Sequence, residues 1–309
     1  MTILQDDTIM TIPAFLLILA SVFLHVTWNM LSKKSNPSMA FYMIMGFVAT
    51  LMWLPVFFYC KIPFFQMPGK FFVFLLLSIF GEIIYMLGLA RSYKSADISY
   101  VYPVVRALPV LIIAAITIIF GLGKTPTLTA LGGMFIITAG CLLMPLKNFR
   151  DFALNRYFNK TIFFILLAAS GTTFYTLFDS SAIEIVRKLR GELNIVDTLS
   201  YLFLMEAGLF IGECIFVMCS KQEKAALKEL LKAPLSPIIA GLSGSAAYAL
   251  ILFAFAFVSN VSFVQAFRQM SLPLGFFAGV LILHEKASKP KLLGLILIVT
   301  GLVLIALFQ

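Results

Sequence analysis

The stretch Asp97–Gly123, DISYVYPVVRALPVLIIAAITIIFGLG, decides how the rest of the chain is read. Crossing a bilayer takes about twenty mostly apolar residues, and this segment has them. Yet it carries Arg106 between Pro103 and Pro109. A guanidinium at the centre of a membrane helix costs about 2.5–3.5 kcal/mol on insertion scales. Each proline removes a backbone donor and disturbs the helix. Backbone freed at that depth is tolerated only against protein or a water-filled cavity. The segment is therefore expected to line an internal cavity and not to face lipid. A second segment, Val261–Leu283, repeats the design, with Arg268 ahead of Pro273. Interrupted helices at corresponding places in two halves are the best sequence pointer to a transporter's binding site.

The whole composition agrees with a membrane setting. The chain has 309 residues, of which 61% are hydrophobic and 12% charged, against about 25% charged in soluble domains. Its net charge of +9 raises the question of nucleic acid. The basic residues, however, sit almost entirely between apolar runs, where membrane proteins carry them. The expected partner is the lipid bilayer and not nucleic acid. Cys60, Cys141, Cys214 and Cys219 lie in or at the ends of apolar runs without CxxC spacing. They are expected as small buried side chains and not as disulfides or metal ligands. The opening MTILQDDTIM lacks a basic n-region, and the apolar run after it ends in His25, Trp28 and Asn29. It is expected to be a first span, not a cleaved signal peptide.

Hydropathy and length predict ten spans, at residues 11–31, 38–60, 70–90, 97–122, 127–146, 161–181, 198–219, 235–258, 262–283 and 291–308. The longest connections are Lys147–Lys160, Glu184–Asp197 and Lys221–Lys232. The last, KQEKAALKELLK, has helical spacing and is expected to lie on the membrane surface. A weak internal repeat runs through the chain. Ile98-Ser99-Tyr100-Val101 aligns with Val261-Ser262-Phe263-Val264, and Pro109 falls near Pro273. Pro126 falls near Pro290, Gly133 and Gly140 align with Gly294 and Gly301, and Ala20-Ser21 matches Ala169-Ser170. Five spans per half is an odd number, so the halves must be inverted relative to one another. The expected fold class is an all-α integral membrane protein of ten transmembrane helices. These form two inverted five-helix repeats, 1–148 (spans 1–5) and 149–309 (spans 6–10).

Certain stretches resemble the drug/metabolite transporter superfamily, in its EamA-like ten-helix branch. ASVFLHVTWNMLSKKS in the first span resembles that branch's opening helix, with small residues leading to an aromatic-polar end and a basic loop. Ala90–Pro109 resembles the family's third-to-fourth helix corner, and His284-Glu285-Lys286 its Gly-Glu-Arg loop. The corresponding Gly121-Leu122-Gly123-Lys124 of the first half lacks the acid. The resemblance covers nearly the whole chain. It implies a carrier of small solutes, mildly favours export, and places both termini in the cytoplasm. Loop charge says the opposite. Apart from Arg106 and Arg268, fifteen Lys and Arg lie on the side of loops 1–2, 3–4, 5–6, 7–8 and 9–10, and six on the side of the termini. The positive-inside rule then puts both termini outside.

Candidate functional residues are polar groups at membrane depth. Arg106 and Arg268 each sit about 10–15 Å into their helices at 1.5 Å per residue. Each either snorkels or pairs with a buried acid, or holds substrate; the last is favoured, and two from opposite halves suit one shared anion. Tyr102 and Pro109 share a face with Arg106, and Gln265, Gln269 and Leu272 with Arg268. His25 and Asn29, four apart with Trp28 beside them, make either an interhelical contact or a substrate contact. Glu82 is a salt partner for Arg106 or a proton-coupling site. Glu206 and Glu213, seven apart, share one face and either pair with Arg268 or line the path. Asp179 is expected at a solvated helix end. Trp53, the phenylalanines and the methionines are assigned no function. Gly241-Leu242-Ser243-Gly244 matches the GxSG of intramembrane serine proteases, though close helix packing explains it better. No phosphate loop, HExxH or metal-spaced cluster appears.

The chain is therefore expected to be a secondary transporter, or permease, and not an enzyme. Its cargo would be a small organic anion or zwitterion, moved across the cell membrane by alternating access. No catalytic residue, cofactor or metal is expected, and a coupling proton is a candidate partner. One alternative is a proton-coupled drug or cation exporter, but small multidrug carriers place an essential Glu in the first helix, where this chain has none. The other is a membrane-embedded enzyme using Ser243.

Overall fold

Eight helices among the described residues are long and apolar enough to cross a membrane. The computed structural model describes residues 11–35, 37–59, 67–95, 98–144, 146–151, 160–191, 194–282 and 287–308. In chain order these form α1 (Ile12–Lys34), α2 (Met39–Tyr59), α3 (Gly69–Ser95), α4 (Ile98–Ile119), α5 (Leu128–Leu143) and α6 (Lys160–Arg190). There follow α7 (Ile195–Cys219), α8 (Lys221–Leu230), α9 (Leu235–Ala254), α10 (Val261–Phe267), α11 (Ser271–Ile282) and α12 (Lys289–Leu307). The eight long ones are α1, α2, α3, α4, α6, α7, α9 and α12; α5 is apolar but only 16 residues long. Cys60 and His284-Glu285-Lys286 lie outside the described residues.

Local sequence starts these helices where a polar side chain can take an orphan amide. Thr127 accepts from Ala130 N at 3.1 Å, Asn194 from Val196 N at 2.9 Å, Asn260 from Ser262 N at 2.8 Å and Ser288 from Lys291 N at 3.3 Å. Large apolar side chains then point outward at helical spacing. Leu76 and Phe80 on α3, Ile211 and Ile215 on α7, and Ile296 and Val299 on α12 are all exposed. Such an apolar surface around a bundle is stable only against hydrocarbon, so the chain is a multi-pass membrane protein.

The most extensive packing joins α1 with α9, α2 with α7, α3 with α6 and α5 with α12, while α4 lies against α5 and α6 and also touches α10. Glycines let two of these pairs touch backbone to backbone. A Cβ on Gly140 would lie 2.7 Å from Gly294 O, and one on Gly294 would lie 2.7 Å from Gly140 O. Gly133 and Gly301 are related the same way, at 2.9 and 2.5 Å. The repeat-matched glycines of α5 and α12 thus meet antiparallel. On α3 and α6, Gly81 faces Gly171, and Gly88 faces Phe164 and Ala168.

Hydrogen bonds tie the bundle at two ends. At one, Thr11 N donates to Phe257 O (3.3 Å), Lys124 N to Ser259 O (3.0 Å), and Thr127 to Phe308 O. Gly123 there has φ of 90°, and a Cβ on it would strike Ser259 O. At the other end Ser35 meets Ser236 (2.5 Å), Ser288 donates to Leu146 O (2.8 Å), and Glu223 of α8 accepts from Ala40 N (3.1 Å).

Three expectations are corrected. First, α4 runs unbroken through Pro103 and Pro109, whereas the Arg268 segment does break, with a 3-10 turn at Arg268–Met270 between α10 and α11. Only one of the two proline segments is interrupted. Second, most of the Glu184–Asp197 connection is helical, because α6 continues to Arg190 and α7 starts at Ile195. Third, Asp179 is not solvated. It lies inside α6 at 0% exposure and accepts hydrogen bonds from Ser78, Tyr201 and Tyr248, so its charge is met by hydroxyls from three other helices.

Candidate functional site

A cavity of about 50 Å³ opens inside the bundle. Helices α1, α2, α3, α6, α7 and α9 and the 3-10 turn at Arg268 all contribute to its wall. From α1 come Ser21, His25 and Trp28, from α3 Glu82 and Tyr85, and from α7 Glu206 and Glu213. Tyr42 and Gly46 come from α2, Tyr175 from α6, and Gly241, Gly244, Ser245 and Tyr248 from α9. The wall therefore carries three carboxylates and one guanidinium.

Arg268 is buried at 5% exposure, among Tyr85, Tyr175 and Tyr248. Its own segment supports it weakly: Nη1 donates to Gln265 Oε1 at 3.5 Å. The break in the helix is what turns Arg268 inward, since a 3-10 turn replaces the α-helical path at that residue. On α1, Trp28 Nε1 donates to His25 Nδ1 at 3.0 Å. That bond assigns the proton of a neutral imidazole to Nε2. Nε2 has no hydrogen-bond partner among the described residues.

The carboxylates differ in their support. Trp53 Nε1 donates to Ser245 Oγ at 2.7 Å, and Ser245 in turn donates to Glu206 Oε1 at 2.6 Å. Trp53, assigned no function from sequence, is thus the first link of a chain that ends on the cavity wall. Among the described residues, Glu82 leaves Oε2 without a partner, and Glu213 leaves both oxygens without one. Gly46 stands against Glu213: a Cβ there would lie 2.8 Å from Oε2.

Of the residues singled out from sequence, Arg268, His25, Trp28, Glu82, Glu206 and Glu213 meet at this cavity. Arg106, Tyr102, Gln265, Gln269 and Asn29 are not on its wall. The picture of two arginines around one anion is corrected accordingly. Arg106 Nη2 donates to Ser271 Oγ at 3.0 Å and to Tyr102 Oη at 3.2 Å, with the guanidinium over the Tyr102 ring. Gln269 Nε2 donates to Arg106 O at 3.1 Å and to Gln265 O at 3.1 Å. Arg106 and Gln269 together brace α4 against the broken segment. No ion pair joins Arg106 to Glu82 or Arg268 to Glu206 or Glu213 among the described contacts. Asn29 is used inside the protein too, donating to His25 O at 2.9 Å and accepting from Tyr93 at 3.3 Å. Ser243 Oγ donates to Ile239 O at 2.8 Å and to Ala240 O at 3.3 Å, both on its own helix. Sequence reasoning missed Tyr42, Tyr175 and Tyr248. The one signal for Tyr248 was the run of small residues before it, whereas Tyr85 stands one turn from Glu82.

No family model and no curated protein matches the chain. A solved structure described only as "Crystal structure of protein" superposes with a TM-score of 0.68, covering 95% of this chain and 96% of its own, at 13% sequence identity. At that identity the likeness is one of fold alone. It does establish that the fold of nearly the whole chain recurs in another protein.

Proposed function

We propose that the chain is a secondary transporter, a permease that moves a small organic solute across the cell membrane by alternating access. The observation that carries this reading is the internal cavity. A guanidinium, three carboxylates and an imidazole are held at membrane depth by four different elements, and such groups mark substrate or ion paths. Counting α5 and the broken α10–α11 segment as crossings gives ten, in two inverted halves at 1–148 and 149–309. The packing supports this. Exchanging the first helix with the sixth crossing, the second with the seventh, and so on converts α1–α9 into α6–α3. The same exchange leaves α2–α7, α4–α10 and α5–α12 each paired with itself. A two-fold related pair of repeats has that property. The resemblance to the drug/metabolite transporter superfamily belongs to the same proposal.

Liposome flux tests the reading. Reconstituted protein should take up its solute saturably. Arg268→Ala should abolish uptake, whereas Arg106→Ala, off the cavity wall, should lower stability more than affinity. An Arg268→Ala variant that melts and transports like the unaltered protein would overturn the assignment.

A further inference from the structure

We propose that the Glu82–Glu206–Glu213 side of the cavity is an ammonium site, so that the solute is a bipolar organic molecule. Its amine would lie against these carboxylates and its acidic end against Arg268. This inference rests on the transport reading and narrows it.

The first argument is unmet hydrogen bonding. Three acid side chains share a buried space with one guanidinium, and a buried polar atom without a partner is costly. The protein shows elsewhere how it satisfies a buried acid of its own: Asp179 has three hydroxyl donors. Glu213 is buried as completely, at 0% exposure, yet among the described residues neither of its oxygens has a partner, and Glu82 leaves one bare at 8%. A donor fits what the chain leaves unmet, and an ammonium group brings three N–H donors.

The second argument is spacing. Glu206 and Glu213 are separated by seven residues, about 10 Å along α7 at 1.5 Å per residue. No three His, Cys, Asp or Glu side chains among the described residues converge closely enough to hold a metal ion. Spread acceptors suit an organic cation with a body better than a compact ion. The body has a matching wall: Trp28, Tyr42 and Tyr85 present aromatic rings, which attract ammonium groups. Gly46, Gly241 and Gly244 complete the wall, with Gly241 packed on the backbone of Met45.

The third argument is the anion-recognising group on the same cavity. Arg268 lies among Tyr175 and Tyr248, and His25 adds an Nε2 without a partner among the described residues, at 8% exposure. A guanidinium with neighbouring hydroxyls and an imidazole N–H recognises carboxylate, phosphate or phosphonate. The cavity wall thus carries both acceptors and donors, and a molecule with both kinds of charged group is matched by it.

Calorimetric titration of the purified full chain in detergent tests this with two matched trios. One is leucine, isoamylamine and isocaproate; the other is aminohexanoate, pentylamine and hexanoate. In at least one trio the zwitterion should bind most tightly, the amine next and the acid least. Glu213→Gln should weaken amine binding about tenfold and leave acid binding within about twofold, and Arg268→Gln should do the reverse. Glu82→Gln provides the same readout should Glu213→Gln fail to fold. The assignment is overturned if no probe binds, or if the acid binds as tightly as the zwitterion. It is also overturned if both Glu variants keep the amine affinity, or if the acids only exchange protons without preferring amines. Amine binding without liposome flux would remove the transport reading and keep the site. Arg268-dependent flux of a plain acid would do the opposite.

Discussion

Removing the Asp179 carboxylate should unlock four helices at once. Its oxygens accept from Ser78 on α3, Tyr201 on α7 and Tyr248 on α9, while the residue itself sits on α6. Hydrogen bonds to a charged group contribute about 1.5–3 kcal/mol each, and a buried hydroxyl left without its partner costs about 1–3 kcal/mol. Asp179→Ala strands three hydroxyls, a loss of about 3–9 kcal/mol. Relief of the carboxylate's own burial, several kcal/mol, offsets part of it. The expected net loss is about 3 kcal/mol. Asp179→Asn keeps the volume and one carbonyl acceptor and turns charged bonds into neutral ones, so about 1 kcal/mol is expected. Unfolding of the purified protein by SDS in mixed micelles, followed by circular dichroism, measures both. Adding Tyr201→Phe separates this cause from a packing defect. Removing the phenol hydroxyl should cost less in the Asp179→Ala background than alone, with a coupling of about 1 kcal/mol. Ligand affinity gives a second readout. Tyr248 is on the cavity wall and Tyr201 is not, so Asp179→Ala should weaken binding while Tyr201→Phe should not. Additive effects of the two substitutions, or an Asp179→Ala protein as stable as the starting one, would refute the reasoning.

Two further outcomes are expected. Gly140→Ala places a methyl 2.7 Å from Gly294 O and 3.0 Å from Ile298 N. Separating α5 from α12 to accommodate it should cost about 1–3 kcal/mol in the same assay; Gly132→Ala, with open space around it, should be neutral or stabilising through helix propensity. A reporter fused at the carboxyl terminus should be read outside the cell, as the excess of Lys and Arg on the opposite loops requires; a cytoplasmic signal there would overturn the charge reading.

Most of the fold was legible because a bilayer imposes a length and a composition on every segment. The runs of about twenty apolar residues became α1 to α4, α6, α7, α9 and α12 with small errors at their ends. The larger error, reading Glu184–Asp197 as a loop, arose because α6 continues as a polar helix past the apolar stretch. Hydropathy cannot see a helix that leaves the hydrocarbon. Prolines misled in one place and informed in another. The same residue type sits inside an unbroken α4 and just after the break at Arg268–Met270. At the break, the Gln269 amide donates to Gln265 O of its own segment and to Arg106 O of α4.

The site was legible as a set of residues but not as a set of partners. Arg106 and Arg268 look alike in sequence, each a lone cation near a proline in an apolar run. Their fates diverge because Ser271 and Tyr102 lie within reach of one guanidinium, while tyrosines from α3, α6 and α9 surround the other. Asp179 and Glu213 diverge in the same way. Both are acids buried at 0%, but Asp179 faces three hydroxyls, and beside Glu213 stands Gly46, which has no side chain to offer. Ser78 and Tyr248 lie 101 and 69 residues from Asp179, so no local pattern could have assigned them. Depth in the membrane explains why each of these groups must be satisfied. Only tertiary packing determines whether the protein satisfies it or leaves that to a ligand.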